Sequence, residues 1–260
     1  MKARTRFALA APALGFATMI ALAGPASAAD GSAQGTLAPV ALNGVQGGGT
    51  AMATVSGTTL TVDLAAYGLL PDNPHAAHIH FGAEARHECP AASDDKNGDV
   101  GHLNTTDGGP AYGDIVVSLT KTGDTSPKSG LAIDRFSTAP GGKIAYQRGS
   151  IKVSSSVAKA ISAGQSVVVI HGVDYNKDGK YSGDTKSDLM PSLPTEATDP
   201  ALCGALRVAP AGGMHTGGGQ AADGLKSGGQ NEALMLVGAG ALLAAAGTGA
   251  FAARRARSRA

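Results

Sequence analysis

His78-Ile79-His80-Phe81-Gly82 is the stretch on which the reading of this chain turns. As a β-strand it places His78 and His80 on one face, roughly 7 Å apart along the strand and able to converge on one ion. Imidazole is a ligand for copper, zinc, iron and nickel, so the pair is a candidate metal-binding motif.

The segments around it predict an all-β domain. The sequence has no Trp, 38 Gly and β-branched runs at short intervals, a pattern of short strands joined by turn-rich connections. Strands are expected at 34–41, 50–55, 59–65, 78–82, 115–120, 131–136, 143–153, 166–171 and 203–208, with a hairpin turn at Ser56-Gly57 and one short helix over 155–163. Val167-Val168-Val169-Ile170-His171-Gly172 is a continuous apolar run that delivers one more histidine at its end. Two long polar connections, 82–113 and 172–202, interrupt the rhythm; connections of that length in a compact domain are usually functional or disordered. The first contains His87, Cys89 and His102. His75 and His87 are expected to be surface residues.

The ends of the chain point to an exported protein. Lys2, Arg4 and Arg6 precede an apolar run that ends at Ala26-Ser27-Ala28, so residues 1–28 read as a secretory signal peptide. Residues 233–253 contain no charge and, at about 1.5 Å per residue, are long enough to cross a hydrocarbon core of about 30 Å as one C-terminal transmembrane helix. The arginines of 254–260 then form a cytoplasmic basic tail, which leaves the preceding domain outside on a single-pass membrane anchor. The exported domain is expected over 29–210, with a Gly-rich stalk over 211–232. Without the three basic residues of the leader and the four of the tail, 14 Lys+Arg face 20 Asp+Glu. That negative balance argues against nucleic acid as a partner. The two cysteines, Cys89 and Cys203, both lie in the exported part, where an oxidising compartment favours their pairing. Asp174, Asn176 and Asp178 space oxygen ligands as the start of an EF-hand loop does, a candidate calcium site, although the twelfth position is Thr185 rather than Glu.

The order of these pieces resembles the copper/zinc superoxide dismutase family. The matching segments are His78 to Gly82, Cys89, Gly101-His102-Leu103-Asn104, Gly108-Gly109-Pro110, Tyr112 to Ile115, Val168 to Gly172 and Cys203-Gly204. The resemblance implies an eight-stranded Greek-key, immunoglobulin-like β-sandwich and a Cys89–Cys203 disulfide. It also implies a copper site of His78, His80, His102 and His171, with His102 as the catalytic proton carrier and superoxide as substrate. The family's zinc site is eroded here: Asp114 matches its aspartate, while Asp107 and Ala111 stand where two histidines are expected, so a copper-only site is implied. Pro200 stands at the position of the arginine that guides the anion in that family. The chain is also similar to chordin-repeat (CHRD) extracellular β domains, which implies the alternative of a non-catalytic module that binds metal or a surface partner.

Overall fold

A computed structural model describes residues 30–96 and 101–209. The strands are β1 (Gly31–Pro39), β2 (Gly48–Ser56), β3 (Thr59–Tyr67), β4 (Pro74–His75), β5 (Ala77–Phe81), β6 (Asp114–Ser118), β7 (Ser137–Thr138), β8 (Lys143–Lys152), β9 (Val167–His171), β10 (Pro200–Ala205) and β11 (Arg207–Val208). Two helices accompany them, α1 (Thr105–Tyr112) and α2 (Ser155–Ser162). Eight strands follow one another in a single hydrogen-bonded path, β6-β5-β9-β10-β1-β2-β3-β8, and β11 adds to β1. Every pairing is antiparallel. The expected all-β architecture with eight principal strands is therefore present.

β1 joins the two halves of this path. Its residues 31–37 pair with β2, whereas Ala38 and Pro39 pair with Cys203 and Leu202 of β10. Side chains of the end strand β8 reach the segment that follows the other end strand, β6. Arg148 of β8 donates to the carbonyl of Thr120 at 2.6 Å and to that of Gly123 at 2.5 Å, and the Tyr146 hydroxyl donates to Thr120 O at 3.3 Å.

Side-chain alternation sorts the residues that matter for function. Ala77 and Ile79 of β5 and Val168 and Ile170 of β9 lie in the main apolar core, with Leu37, Leu60, Val62 and Leu202. Period-two alternation sends the intervening residues to the opposite face. There Val167 and Val169 join a second, smaller apolar cluster with Val40, Leu103, Tyr112 and Cys203. The all-apolar sequence of β9 thus reflects a strand covered on both faces. The cover on the second face comes from the first long connection and α1, which the Cys89–Cys203 disulfide ties to β10 with a Cα–Cα distance of 5.7 Å.

Three expectations need revision. Residues 131–136 are not a strand: Leu131 and Ile133 are exposed, and side-chain bonds from Asp124 and Arg135 to Ser129 hold the segment in tight turns. The first long connection contains α1, which Gly108, Gly109 and Pro110 obscure in the sequence. An Asn104/Asp107 capping box starts this helix, and at Gly108 a Cβ would lie 2.3 Å from the Tyr112 ring, so only glycine fits. His75 is fully buried rather than a surface residue. The leader, stalk, anchor and tail lie outside the described residues, and among the described residues no helix is long and apolar enough to cross a membrane.

Because the disulfide closes a separation of 114 residues, replacing both cysteines by serine should lower stability by about 2–4 kcal/mol. Urea denaturation of the two forms checks this; equal midpoints would show that the covering connection holds without its covalent tie.

Candidate metal centre

The alternation that buries Ile79 places His78 and His80 together on the second face of β5. Their cross-strand partners on β9 are Val169 and Val167. His171 ends β9 on that same face, opposite Pro200 of β10. A register shift in the β5/β6 pairing falls between Ile79 and His80, the kind of irregularity that re-aims a side chain next to a site. The result is a group of three histidines, each offering one ring nitrogen, with these nitrogens within 4.8 Å of one another. The ring centroids are 5.6 Å apart for His78 and His80, 5.1 Å for His78 and His171, and 6.1 Å for His80 and His171.

Each ring engages a backbone carbonyl through one nitrogen. His78 Nε2 lies 3.0 Å from Gly130 O, His80 Nδ1 2.9 Å from Gly113 O, and His171 Nδ1 2.6 Å from Thr198 O. A carbonyl only accepts, so each contact fixes the proton on that nitrogen and leaves a lone pair on the other. The remaining nitrogens, His78 Nδ1, His80 Nε2 and His171 Nε2, are buried and have no hydrogen-bond partner. Leaving three such acceptors unsatisfied is costly unless something binds them. The rings are only 2 %, 2 % and 3 % exposed. Burial, followed for His78 and His80 by repulsion from neighbouring imidazoles, opposes protonation. His78 is held well below the ordinary histidine value, His80 falls to about 3 and His171 to about 4. Three neutral imidazoles with convergent lone pairs fit a first-row transition metal. Phe136 packs edge-on against His78, and Tyr112 lies tilted against His80, with centroids at 5.4 and 4.6 Å.

The other predicted site residues are placed elsewhere. His102 stands outside the three-histidine group. Its Nδ1 lies 3.1 Å from Asp199 Oδ2, its ring stacks on Tyr175 with centroids 4.4 Å apart, and it lines a cleft of about 330 Å³ with Asn176, Ser182, Thr195 and Glu196. Asp107 belongs to the capping box of α1, and Asp114 is exposed at the start of β6, paired with Phe81; neither joins the group. In the candidate calcium loop, Asp174 accepts from the N–H groups of Asp178 and Gly179, Asn176 from Asp178 and Asp178 from Lys180. Those oxygens close a polar turn. Pro200 is buried. The two arginines that could replace a guiding cation are engaged elsewhere: Arg86 with Glu88 and Asp94, Arg207 with Gly164 O and His87 O.

Several supporting residues had no individual signal in the sequence. His75 bridges Leu70 O and the carbonyl of His171, at 3.0 and 2.8 Å. Gly172, at φ +109°, turns the chain after His171 where a Cβ would lie 2.1 Å from the Tyr181 hydroxyl. Glu196 accepts from the N–H groups of Tyr175, Asn176 and Ser182 and so holds the second long connection in place. Asp199 is fully buried, and burial above all pushes its carboxyl up to about 7. The Asn43 side chain, 1 % exposed, accepts from Leu103 N and donates to Leu103 O and Pro200 O, at 2.7, 2.9 and 2.8 Å.

No protein-family model matches the chain, and no curated protein matches it. Among solved structures it is similar to superoxide dismutase 5 of Candida albicans, in two single-residue mutants. The glutamate-to-alanine mutant is 14 % identical, with 73 % of this chain and 96 % of that one covered and a TM-score of 0.37. The aspartate-to-asparagine mutant is 15 % identical, with 72 % and 99 % covered and a TM-score of 0.37.

Two outcomes test this centre. Histidines whose folded values lie below the unfolded value bind fewer protons than the unfolded chain does, so metal-free protein should lose stability as pH falls from 6.5 to 4. Asp199 acts in the opposite direction over this range, as one group against these three and His75, which burial also lowers. Melting temperatures across that range check the sign, and a flat or rising profile towards acid contradicts it. Asn43→Ala should cost about 1–3 kcal/mol by leaving buried backbone groups unpaired, measured by urea denaturation; an unchanged midpoint contradicts the role given to that amide.

Proposed function

We propose that this chain is an exported, membrane-anchored copper protein of the superoxide dismutase type, with the Greek-key sandwich that type implies, and that it dismutes superoxide to oxygen and hydrogen peroxide. The observation that carries the proposal is the set of three buried imidazoles whose outer nitrogens are fixed on carbonyls and whose inner nitrogens converge without partners. An imidazole-rich donor set ranks copper highest among the divalent first-row metals. The disulfide accords with an oxidising compartment.

In this reading His78, His80 and His171 would hold the metal, and His102, which stands outside their group, is the fourth ligand that the resemblance implies. Bound copper supplies one-electron chemistry, by which one superoxide is oxidised to oxygen and a second is reduced to peroxide. The second half needs two protons per hydrogen peroxide. His102 is the group suited to hold one of them, because its ring lines an open cleft through which protons can arrive from water. The carbonyls of Gly130, Gly113 and Thr198 keep the three rings oriented and their proton-bearing nitrogens turned away from the centre. Among the described residues Asp107 and Asp114 do not join the three-histidine group, so this reading assigns copper alone. With Pro200 in place of an arginine, electrostatic attraction of the anion is weak, so turnover should vary little with ionic strength.

Copper titration of the purified protein should give one tight site per chain, and His78→Ala with His171→Ala should weaken it by more than about 100-fold, beyond the usual effect of losing an outer partner. Unchanged binding in the double variant sinks the proposal. Stopped-flow decay of superoxide with copper-loaded protein then separates an enzyme from a binding module: tight copper without accelerated decay overturns the catalytic half alone.

A further inference from the structure

The arrangement behind His102 differs from that behind the other three histidines. Their outer nitrogens meet backbone carbonyls, whereas His102 Nδ1 faces a side-chain carboxylate, Asp199 Oδ2, at 3.1 Å. Asp199 is fully buried and rigidly held: Oδ1 accepts from the Thr195 hydroxyl at 2.8 Å, and Oδ2 from the Tyr175 hydroxyl at 2.9 Å. Tyr175 also stacks on the His102 ring at an interplanar angle of 24°. One residue therefore sets the ring's plane and orients the carboxylate at its edge. The backbones on both sides are registered by Asn43, which bonds Leu103 and Pro200, the residues that follow His102 and Asp199. His102 Nδ1 is buried, the Asp199 contact falls short of hydrogen-bond alignment, and the nitrogen has no other polar partner among the described residues.

We propose that Asp199 is the positioning residue of His102: its carboxylate fixes the imidazole as the Nδ1–H tautomer and leaves Nε2 as the lone-pair nitrogen. The proposal rests on the reading of His102 as a copper ligand and assigns the group that prepares it. A carboxylate accepts but does not donate, so it selects the ring form that carries its proton on the facing nitrogen. A charge-assisted contact of this kind also makes the opposite nitrogen more basic than a carbonyl does. Free histidine prefers the other tautomer, with the proton on Nε2, so the assignment predicts a reversal that the sequence does not suggest.

The test uses metal-free protein and does not depend on activity. Long-range ¹⁵N–¹H correlation spectra at about pH 8, where an ordinary imidazole is neutral, report the tautomer of each histidine. In the wild type the Nδ1–H form of His102 should exceed the Nε2–H form by at least about tenfold, the scale of a charge-assisted hydrogen bond. Asp199→Leu, which keeps the branched shape at a larger volume but removes the acceptor, should erase that excess while leaving His80 in its Nδ1–H form. A wild-type His102 that is mixed or mainly Nε2–H overturns the assignment, as does an Asp199→Leu spectrum with the wild-type ratio. Should that variant fail to fold, the wild-type spectrum decides alone. Failure of copper titration would remove the copper reading without altering the tautomer, so the two claims fail separately.

Discussion

Three backbone carbonyls, those of Gly130, Gly113 and Thr198, are the constraint on which the site depends. A buried imidazole with no fixed partner can present either nitrogen and either tautomer. Once one nitrogen is committed to a carbonyl, the other has a defined direction and a defined lone pair. Repeating this on three rings in a water-poor space yields a concave set of neutral donors. Burial is what keeps them neutral, and the neutrality in turn makes them ligands rather than a cluster of repelling cations.

The fold supplies those carbonyls from segments that are not strands. Gly130 lies in the turns organised by Asp124, whose carboxylate accepts from Ser126 and Ser129. Gly113 caps α1, and Thr198 ends a 3₁₀ turn ahead of β10. The sheet orients the histidines by alternation, and the connections fix their protonation. The disulfide and the second apolar cluster around Leu103 and Tyr112 attach one of those connections to the sheet. Asn43 does the same from the turn after β1, reaching residues 60 and 157 positions away.

Much of this is legible in the sequence because it follows local rules. Alternation in His78-Ile79-His80 and the apolar run ending at His171 place three histidines on one face, and two cysteines in an exported segment point to the disulfide. What cannot be read are the partners that exist only after folding. Nothing near Asn43, Thr198 or Asp199 marks them, since their roles lie in contacts across long separations. Residues 131–136 carry a strand-like apolar pattern that side-chain bonds to Ser129 override. α1 is hidden by its glycines and proline, although Asn104-Thr105-Thr106-Asp107 is a legible capping signal. His102 shows the limit from the other side: its place in the resemblance makes it a ligand, while the structure sets it beside Asp199 and apart from the other three rings.

The most direct measurement of the central claim is pulsed electron paramagnetic resonance of the protein loaded with one equivalent of Cu(II). The account predicts modulation from the remote nitrogens of at least three imidazoles, lost on replacing His78 and His171 by alanine. A loaded wild-type spectrum with fewer than three, or one unchanged by that double replacement, would contradict it.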